Sequence, residues 1–280
     1  VSEISGQVIK LNGKNIYSRK ELLGRNVVVV LSPEEQDITK GPPAERRSFF
    51  DKVFSVVSPE YLQTLQNYNR TLKQRNAALL QLRDNIITEE NLETWAKPLS
   101  LSGSKLWQLR GRFMADFCAL LVSVVQQYDS EIKMEILYSA PVQDEEQYQK
   151  KLVKIIRQDI SRGRTGYGPH RDDVVLNWSG RNIKSFGSQG EHKLCLIFLK
   201  LVELFFIKEK TGISPTLLLD DLFAKLDLER SKNIVHLLQE LESSSGEPVQ
   251  TIVTTTDLLN VEHSGLMSAS PDHCTYHLER

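Results

Sequence analysis

The chain has 280 residues, 40% of them hydrophobic and 25% charged, with 35 basic against 36 acidic side chains and a formal charge of −1. That balance excludes a wholly disordered or collagen-like chain and leaves any nucleic-acid surface to a local patch. Three cysteines, Cys118, Cys195 and Cys274, are too few and scattered for a disulfide framework. No uncharged run approaches the ~18 apolar residues of a membrane span, and no basic region followed by an apolar core opens the chain, so a soluble, intracellular protein of one large domain or two lobes is expected.

The chain opens on Val1 and moves directly into Gly6 to Lys14, which reads as a β-hairpin turning at Asn12-Gly13. It begins in mid-sheet, as a domain lacking its first part would. Val27-Val28-Val29-Val30-Leu31 is a β-branched run expected to be a strand buried on both faces. Pro42-Pro43 starts a helix that carries Phe49, Phe50, Val53 and Phe54. Ser58-Pro59 caps a longer helix to Ile86 with an apolar seam through Tyr61, Leu65, Tyr68, Leu72, Leu79 and Leu82. A second helix from Ser104 to Tyr128 carries Leu106, Phe113, Phe117, Leu120 and Val124, with a loop expected around Lys97-Pro98. An antiparallel helical arm, packing Leu65, Leu72 and Leu79 on Phe113, Phe117 and Leu120, and two helices in one globular core are equally compatible with this periodicity.

Met134 to Tyr138 alternates like a strand, Asp144 to Ser161 like a charged helix, and Asp173 to Trp178 with Asn182 to Lys184 like a hairpin turning at Ser179-Gly180. Gln189 to Lys208 is apolar nearly all round, the pattern of a central buried helix. Thr216 to Leu219 reads as a buried strand ending in two carboxylates, Leu228 to Leu241 as a helix, and Gln250 to Thr254 as the next strand. This strand–helix–strand order implies parallel strands of an α/β sheet.

Asp220 and Asp221, at the carboxyl end of a buried strand, have the placement of a Mg²⁺ ligand and a water-orienting acid in nucleotide enzymes, although apolar strands ending in Asp-Asp also occur without that role. Asp227 fits an N-cap for the following helix. Phe186-Gly187-Ser188-Gln189-Gly190-Glu191 lies at a helix N-terminus, where free N–H groups, a hydroxyl and the dipole favour an anion; a glycine-rich turn with a serine cap is the simpler reading of that segment alone.

Taken in order, these segments resemble signature motif, Walker B, D-loop and switch of ABC-type ATPases. Gly168-Pro169-His170-Arg171-Asp172-Asp173, Phe186-Gly187-Ser188-Gln189-Gly190, Gly41-Pro42-Pro43-Ala44-Glu45-Arg46-Arg47, Tyr68-Asn69-Arg70, Leu72-Lys73-Gln74-Arg75-Asn76 and Leu218-Leu219-Asp220-Asp221 are similar to the RecF family of DNA replication and repair proteins, from about Ile9 to Asp257. The resemblance implies an α/β fold, part of an ABC/SMC-type P-loop ATPase head with an inserted helical lobe (an antiparallel helical arm). Residues 1–41 and 164–280 would form the head, and 42–163 the arm and second lobe.

It further implies ATP and Mg²⁺ as cofactors, Asp220 as the metal ligand and Asp221 as the residue that positions the hydrolytic water. Ser188, Gln189 and Gly190 would meet the γ-phosphate of a second subunit's ATP. Asp227 would act as the D-loop residue at an ATP-dependent homodimer interface, and Thr255 or Thr256 would occupy the switch position. Implied partners are DNA, double-stranded and at gap junctions, with RecR, RecO and RecA-type proteins, in cytoplasmic repair and the SOS response. A Q-loop role for Glu34 rests on position alone.

One departure stands out. The family's Walker A loop, G-x-x-x-x-G-K-[ST], has no counterpart: Gly6 and Gly13-Lys14 are separated by six residues, not four, and Asn15 replaces Ser or Thr. Residues 1–280 by themselves are therefore expected not to turn over ATP, and a non-catalytic DNA- or protein-interaction module derived from an SMC-like ATPase is the alternative. Arg70, Lys73, Arg75 and Arg83 on one helix, with Arg110 and Arg112 on the next, are candidate contacts to DNA phosphates, or ordinary solvated charges. His170-Arg171 fits a hydrogen-bonded corner better than a catalytic pair, and His273, Cys274 and His277 are poorly spaced for zinc.

Overall fold

A computed structural model describes residues 9–11, 14–16, 27–84, 86, 90–138, 141, 144–221, 228–245, 249–256, 258–265, 274 and 276. Strands β1 (Ile9–Leu11) and β2 (Lys14–Ile16) form the expected antiparallel hairpin. β3 (Val28–Leu31) then runs through a tight 3₁₀ turn, Pro33–Gln36, into the short helix α1 (Asp37–Lys40). Pro42 and Pro43 start α2 (Pro43–Val57), and Ser58, whose hydroxyl accepts the Tyr61 N–H at 3.1 Å, caps α3 (Pro59–Arg83).

The next helix, α4, spans Glu90–Tyr128 and carries Pro98 inside it. The loop expected around Lys97-Pro98 is thus helical. The missing proline N–H removes one backbone bond, while Ala96, Leu99 and Leu106 are buried and hold the segment down; the Ser100 and Ser102 hydroxyls bond back to the Lys97 and Pro98 carbonyls at 2.9 and 2.7 Å.

Helices α3 and α4 pack antiparallel: Glu60 pairs with Lys105 at 2.7 Å, Tyr61 meets Arg110, and Tyr68 lies against Gly103. The pairing of side chains differs from the expected seam. Phe117 packs its ring 5.2 Å from Phe50 and 5.5 Å from Phe206, and Phe113 stacks on Phe54 at 5.5 Å. The aromatic face of α4 is shared by Phe50 and Phe54 of α2 and Phe206 of a later helix, and from α3 Tyr61 reaches Phe113 at 6.0 Å.

Strand β4 (Met134–Tyr138) leads to helices α5 (Glu145–Lys154) and α6 (Ile156–Arg162), a pair broken at Ile155 where one charged helix was expected. β4 pairs antiparallel with β5 (Val174–Trp178), and β5 with β6 (Arg181–Asn182). Ser179 and Gly180, both at positive φ (48° and 75°), make the hairpin turn. Of the expected second arm, Asn182 to Lys184, only Asn182 is in β6; Ile183 and Lys184 open the short helix α7 (Ile183–Phe186).

Helix α8 (Gln189–Thr211) is the central element, buried at fourteen positions from His192 to Ile207 and ended by Gly212 in the left-handed conformation. β7 (Thr216–Asp220), α9 (Leu228–Ser245) and β8 (Thr251–Thr254) follow, then α10 (Leu258–His263). The strands are parallel in the order β3-β7-β8, with Leu31 opposite Leu219 and Leu219 opposite Val253.

Among the described residues, one face of the sheet is buried and the other is largely exposed. Val29, Leu31, Leu217 and Leu219 are buried, whereas Val28 (48%), Val30 (37%) and Ile252 (46%) are exposed on the other face. The expectation that the valine run is buried on both sides is therefore corrected: β-branched composition marks a strand, but burial of each face depends on what packs there. No helix among the described residues is long and apolar enough to cross a membrane.

Candidate functional site

Because β3, β7 and β8 are parallel, their carboxyl ends share one edge of the sheet, where open α/β folds bind ligands. Asp220 is the last residue of β7 and lies opposite Thr254 in register. The Thr254 hydroxyl donates to Asp220 Oδ1 at 2.6 Å, and the Ser32 hydroxyl, from the end of β3, approaches Oδ2 at 3.4 Å. Asp221 turns the chain with φ of 49°, in the left-handed region that Asp tolerates better than most residues. Its N–H donates to the Thr254 carbonyl at 3.0 Å, and its Oδ1 accepts from Thr256 at 3.3 Å.

Asp220 is exposed, with two hydroxyls beside it, so this edge offers the hard oxygen ligands that Mg²⁺ prefers. The donor set fits the metal end of a metal–nucleotide site. It contains no glycine-rich loop among the described residues to wrap the phosphates. Thr256, one of the two residues expected at the switch position, lies beside Asp221 through its hydroxyl. Ser32 and Thr254 escape a sequence reading because only the register of the three strands brings them to Asp220.

The second anion-binding feature is the start of α8. Ser188 is its N-cap: the Ser188 hydroxyl accepts the Glu191 N–H at 3.3 Å, and the Glu191 carboxylate accepts the Ser188 N–H at 2.7 Å. That backbone N–H holds the Glu191 carboxyl below the usual carboxylate range. Ser188 and Gln189 are exposed. A Cβ on Gly190 would lie 3.1 Å from the Arg230 guanidinium, so α9 lays a cation beside the first turn of α8. Arg230 was not picked out in the sequence; its position three residues after Asp227 was the available signal. Asp227 itself, with His273 and His277, lies outside the described residues, and Cys274 is exposed.

The Gly168–Asp173 segment builds a buried polar knot rather than a reaction centre. Asp172 accepts Trp107 Nε1 at 2.9 Å, the Tyr138 hydroxyl at 2.9 Å and Arg110 Nη1 at 2.8 Å; Arg110 also reaches Asp51 at 2.9 Å and the Pro169 carbonyl at 3.0 Å. Burial pushes the Asp172 carboxyl up, against the pull of Arg110. Arg46 binds Asp173 at 2.9 Å, which joins the start of α2 to the same knot. His170 Nε2–H donates to the Thr165 carbonyl at 3.0 Å, which leaves Nδ1 of the neutral ring to accept the Tyr68 hydroxyl at 2.6 Å, and burial pushes the His170 pKa down to about 4. This is the hydrogen-bonded corner expected for His170-Arg171.

Two of the proposed phosphate contacts are thereby corrected. Arg75 is 1% exposed and pairs with Asp159 at 2.8 Å and the Thr165 hydroxyl at 2.6 Å; Arg110 is 2% exposed and saturated as described. Both guanidiniums face inward because α6 brings Asp159 onto α3, while α2 and the Gly168–Asp173 corner bring Asp51 and Asp172 onto α4. Arg70, Lys73 and Arg112 are exposed, the last with its guanidinium 4.9 Å from the centre of the Phe113 ring.

Comparison with known proteins gives one consistent answer. No family model matches the chain. The DNA replication and repair protein RecF of Lachnoclostridium phytofermentans is 36% identical over 251 residues, covering 89% of this chain and 67% of the relative. RecF of an Exiguobacterium species is 36% identical over 279 residues, covering 96% of this chain and 73% of the relative. A solved structure of the recombination mediator protein RecF–ATP in the RecFOR pathway superposes with a TM-score of 0.78 at 31% identity, covering 89% of this chain and 67% of that one. A second structure of the same protein gives 0.78 at 30% identity, with 91% and 70% covered.

Proposed function

Because the chain belongs to the RecF family of DNA replication and repair proteins, we propose that it acts as one half of an ATP-closed homodimer that grips duplex DNA at the edge of single-stranded gaps and assists recombinase loading. RecO, RecR and RecA-type proteins are its partners in this reading. Residues 1–41 and 164–280 serve as the head, and 42–163 as the helical lobe.

The observation that carries the reading is the carboxyl edge of the β3-β7-β8 sheet, where Asp220 and Asp221 are held by Thr254, Ser32 and Thr256. Asp220 is the Mg²⁺ ligand, and Thr254 and Ser32 orient its carboxylate. Mg²⁺, when bound, neutralises charge on the nucleotide's phosphates. Asp221, its backbone fixed by the Thr254 carbonyl, orients the attacking water. Ser188 retains its hydroxyl proton while accepting the Glu191 N–H, so it can donate to the γ-phosphate of the opposite subunit, with the Gly190 N–H and the α8 dipole behind it. Arg70, Lys73 and Arg112 supply phosphate contacts to DNA; Arg75 and Arg110 hold the lobe together. Asp227 keeps its proposed D-loop role.

Sedimentation of the full-length protein with adenosine 5′-O-(3-thiotriphosphate) tests the reading. Ser188→Arg puts a long cation where close backbone approach is needed. It should leave nucleotide binding per subunit intact and weaken dimerisation roughly tenfold to a hundredfold, since charge-assisted contacts contribute about 1.5–3 kcal/mol each. An unchanged monomer–dimer constant would reduce Ser188 to a helix cap. The alternative reading is a non-catalytic DNA- or protein-interaction module derived from an SMC-like ATPase. That module would bind DNA equally well with and without nucleotide.

A further inference from the structure

Of the nine phenylalanines among the described residues, eight are at most 7% exposed; Phe186 is 71% exposed. It stands two residues before Ser188, and its presentation is rigid. The Asn182 side chain accepts the Lys184 N–H at 2.9 Å at the start of α7, and the Gly187 N–H closes α7 on the Ile183 carbonyl at 2.8 Å. Ile183, 2% exposed, anchors the turn from below. A Cβ on Gly187 would come within 2.5 Å of the Ile183 carbonyl oxygen, 2.6 Å of Ile183 Cγ1 and 3.1 Å of His192 Nε2, so the backbone here packs as closely as glycine allows. His192 is itself fastened to Thr39 at 2.9 Å. An aromatic ring held in solvent on a braced turn loses little conformational entropy when it is covered, which is the character of an interface anchor.

We infer that Phe186 is the apolar anchor of the contact between two copies of this chain. The inference rests on the reading of Ser188 as a trans contact: whatever closes on Ser188 also covers the ring two residues away. A two-fold pair presents Phe186 twice, so each substitution removes two anchors at once. The Ser188 hydroxyl, two residues along the chain, and Arg230, beside Gly190, supply polar groups for the rim of such a contact.

The test is sedimentation equilibrium of the full-length protein with adenosine 5′-O-(3-thiotriphosphate), comparing wild type, Phe186→Ser, Phe186→Leu, Ser188→Arg and, as a control, Leu137→Ser. Leu137 is 51% exposed on β4. Phe186→Ser should weaken the dimer about thirtyfold, or ~1 kcal/mol for each of the two rings removed. Phe186→Leu should weaken it by less than about threefold, and Leu137→Ser not at all. Per-subunit binding of a fluorescent ATP analogue should be unchanged throughout. If Phe186→Ser dimerises like wild type while Ser188→Arg does not, the anchor is refuted and the trans-signature reading stands. If Ser188→Arg also dimerises like wild type, or wild type stays monomeric with nucleotide, both fall.

Discussion

Arg75 and His170 show at the residue scale how much of this chain's polar chemistry serves cohesion. Arg75 sits between Asp159 and Thr165 with almost no solvent contact. Its replacement by Met leaves a buried carboxylate without its counter-ion and should cost about 3–5 kcal/mol in urea unfolding. A loss below about 1 kcal/mol would mean that Asp159 finds another partner. His170 gives a pH signature. Its imidazole is held near 4, below the ~6.5 of an unfolded histidine, so the unfolded chain binds the extra proton between those values. The stabilisation is complete above ~6.5 and is lost as pH falls through about 4, a span worth on the order of 3 kcal/mol. Urea midpoints from pH 7 to 4 should fall more steeply for wild type than for His170→Gln. Parallel curves would contradict the assignment.

Packing between helices decides the element scale. Phe117 on α4 meets Phe49 and Phe50 of α2 and Phe206 of α8 at 6.3, 5.2 and 5.5 Å. Phe117→Ala should therefore destabilise by about 3–5 kcal/mol. If Phe117 instead lined a seam shared mainly with α3, Leu72→Ala would cost as much; the structure predicts a smaller loss there, because Leu72 is only partly buried. Much at this scale was legible beforehand. The all-round apolar pattern of α8, the serine cap at Ser188 and the parallel strand order follow from local composition and spacing. The partners of α4 did not, since periodicity reports which face is apolar and not what covers it. The same limit hid the uncovered face of β3, whose valines read as doubly buried, and the inward turn of Arg75 and Arg110. Their carboxylate partners are 84 residues away for Arg75 and about sixty for Arg110, beyond any helical spacing.

The whole molecule separates two chemical features by one helix. α8 begins at the capped Ser188 turn and leads, through Gly212, into β7 and its terminal Asp220, so one largely buried 23-residue helix joins the two features in the chain. The Thr39–His192 bond and the Ser32–Asp220 contact tie the segment after β3 to both ends of that path. The candidate site was partly visible in the sequence: Asp220, Asp221, Ser188 and Thr256 were named from their order along the chain. Ser32, Thr254 and Arg230 required the fold.

The central claim is that Asp220 of one subunit and Ser188 of the other complete a single nucleotide site. Mixing two inactive variants tests it most directly. In the full-length protein, Ser188→Arg and Asp220→Asn should each lose nucleotide-dependent retention of gapped duplex DNA. An equimolar mixture forms heterodimers in which one site carries both lesions and the other carries neither. The mixture should regain nucleotide-dependent DNA retention that neither variant has alone. A mixture as inactive as its components, with heterodimer formation verified by differently tagged subunits, would contradict it.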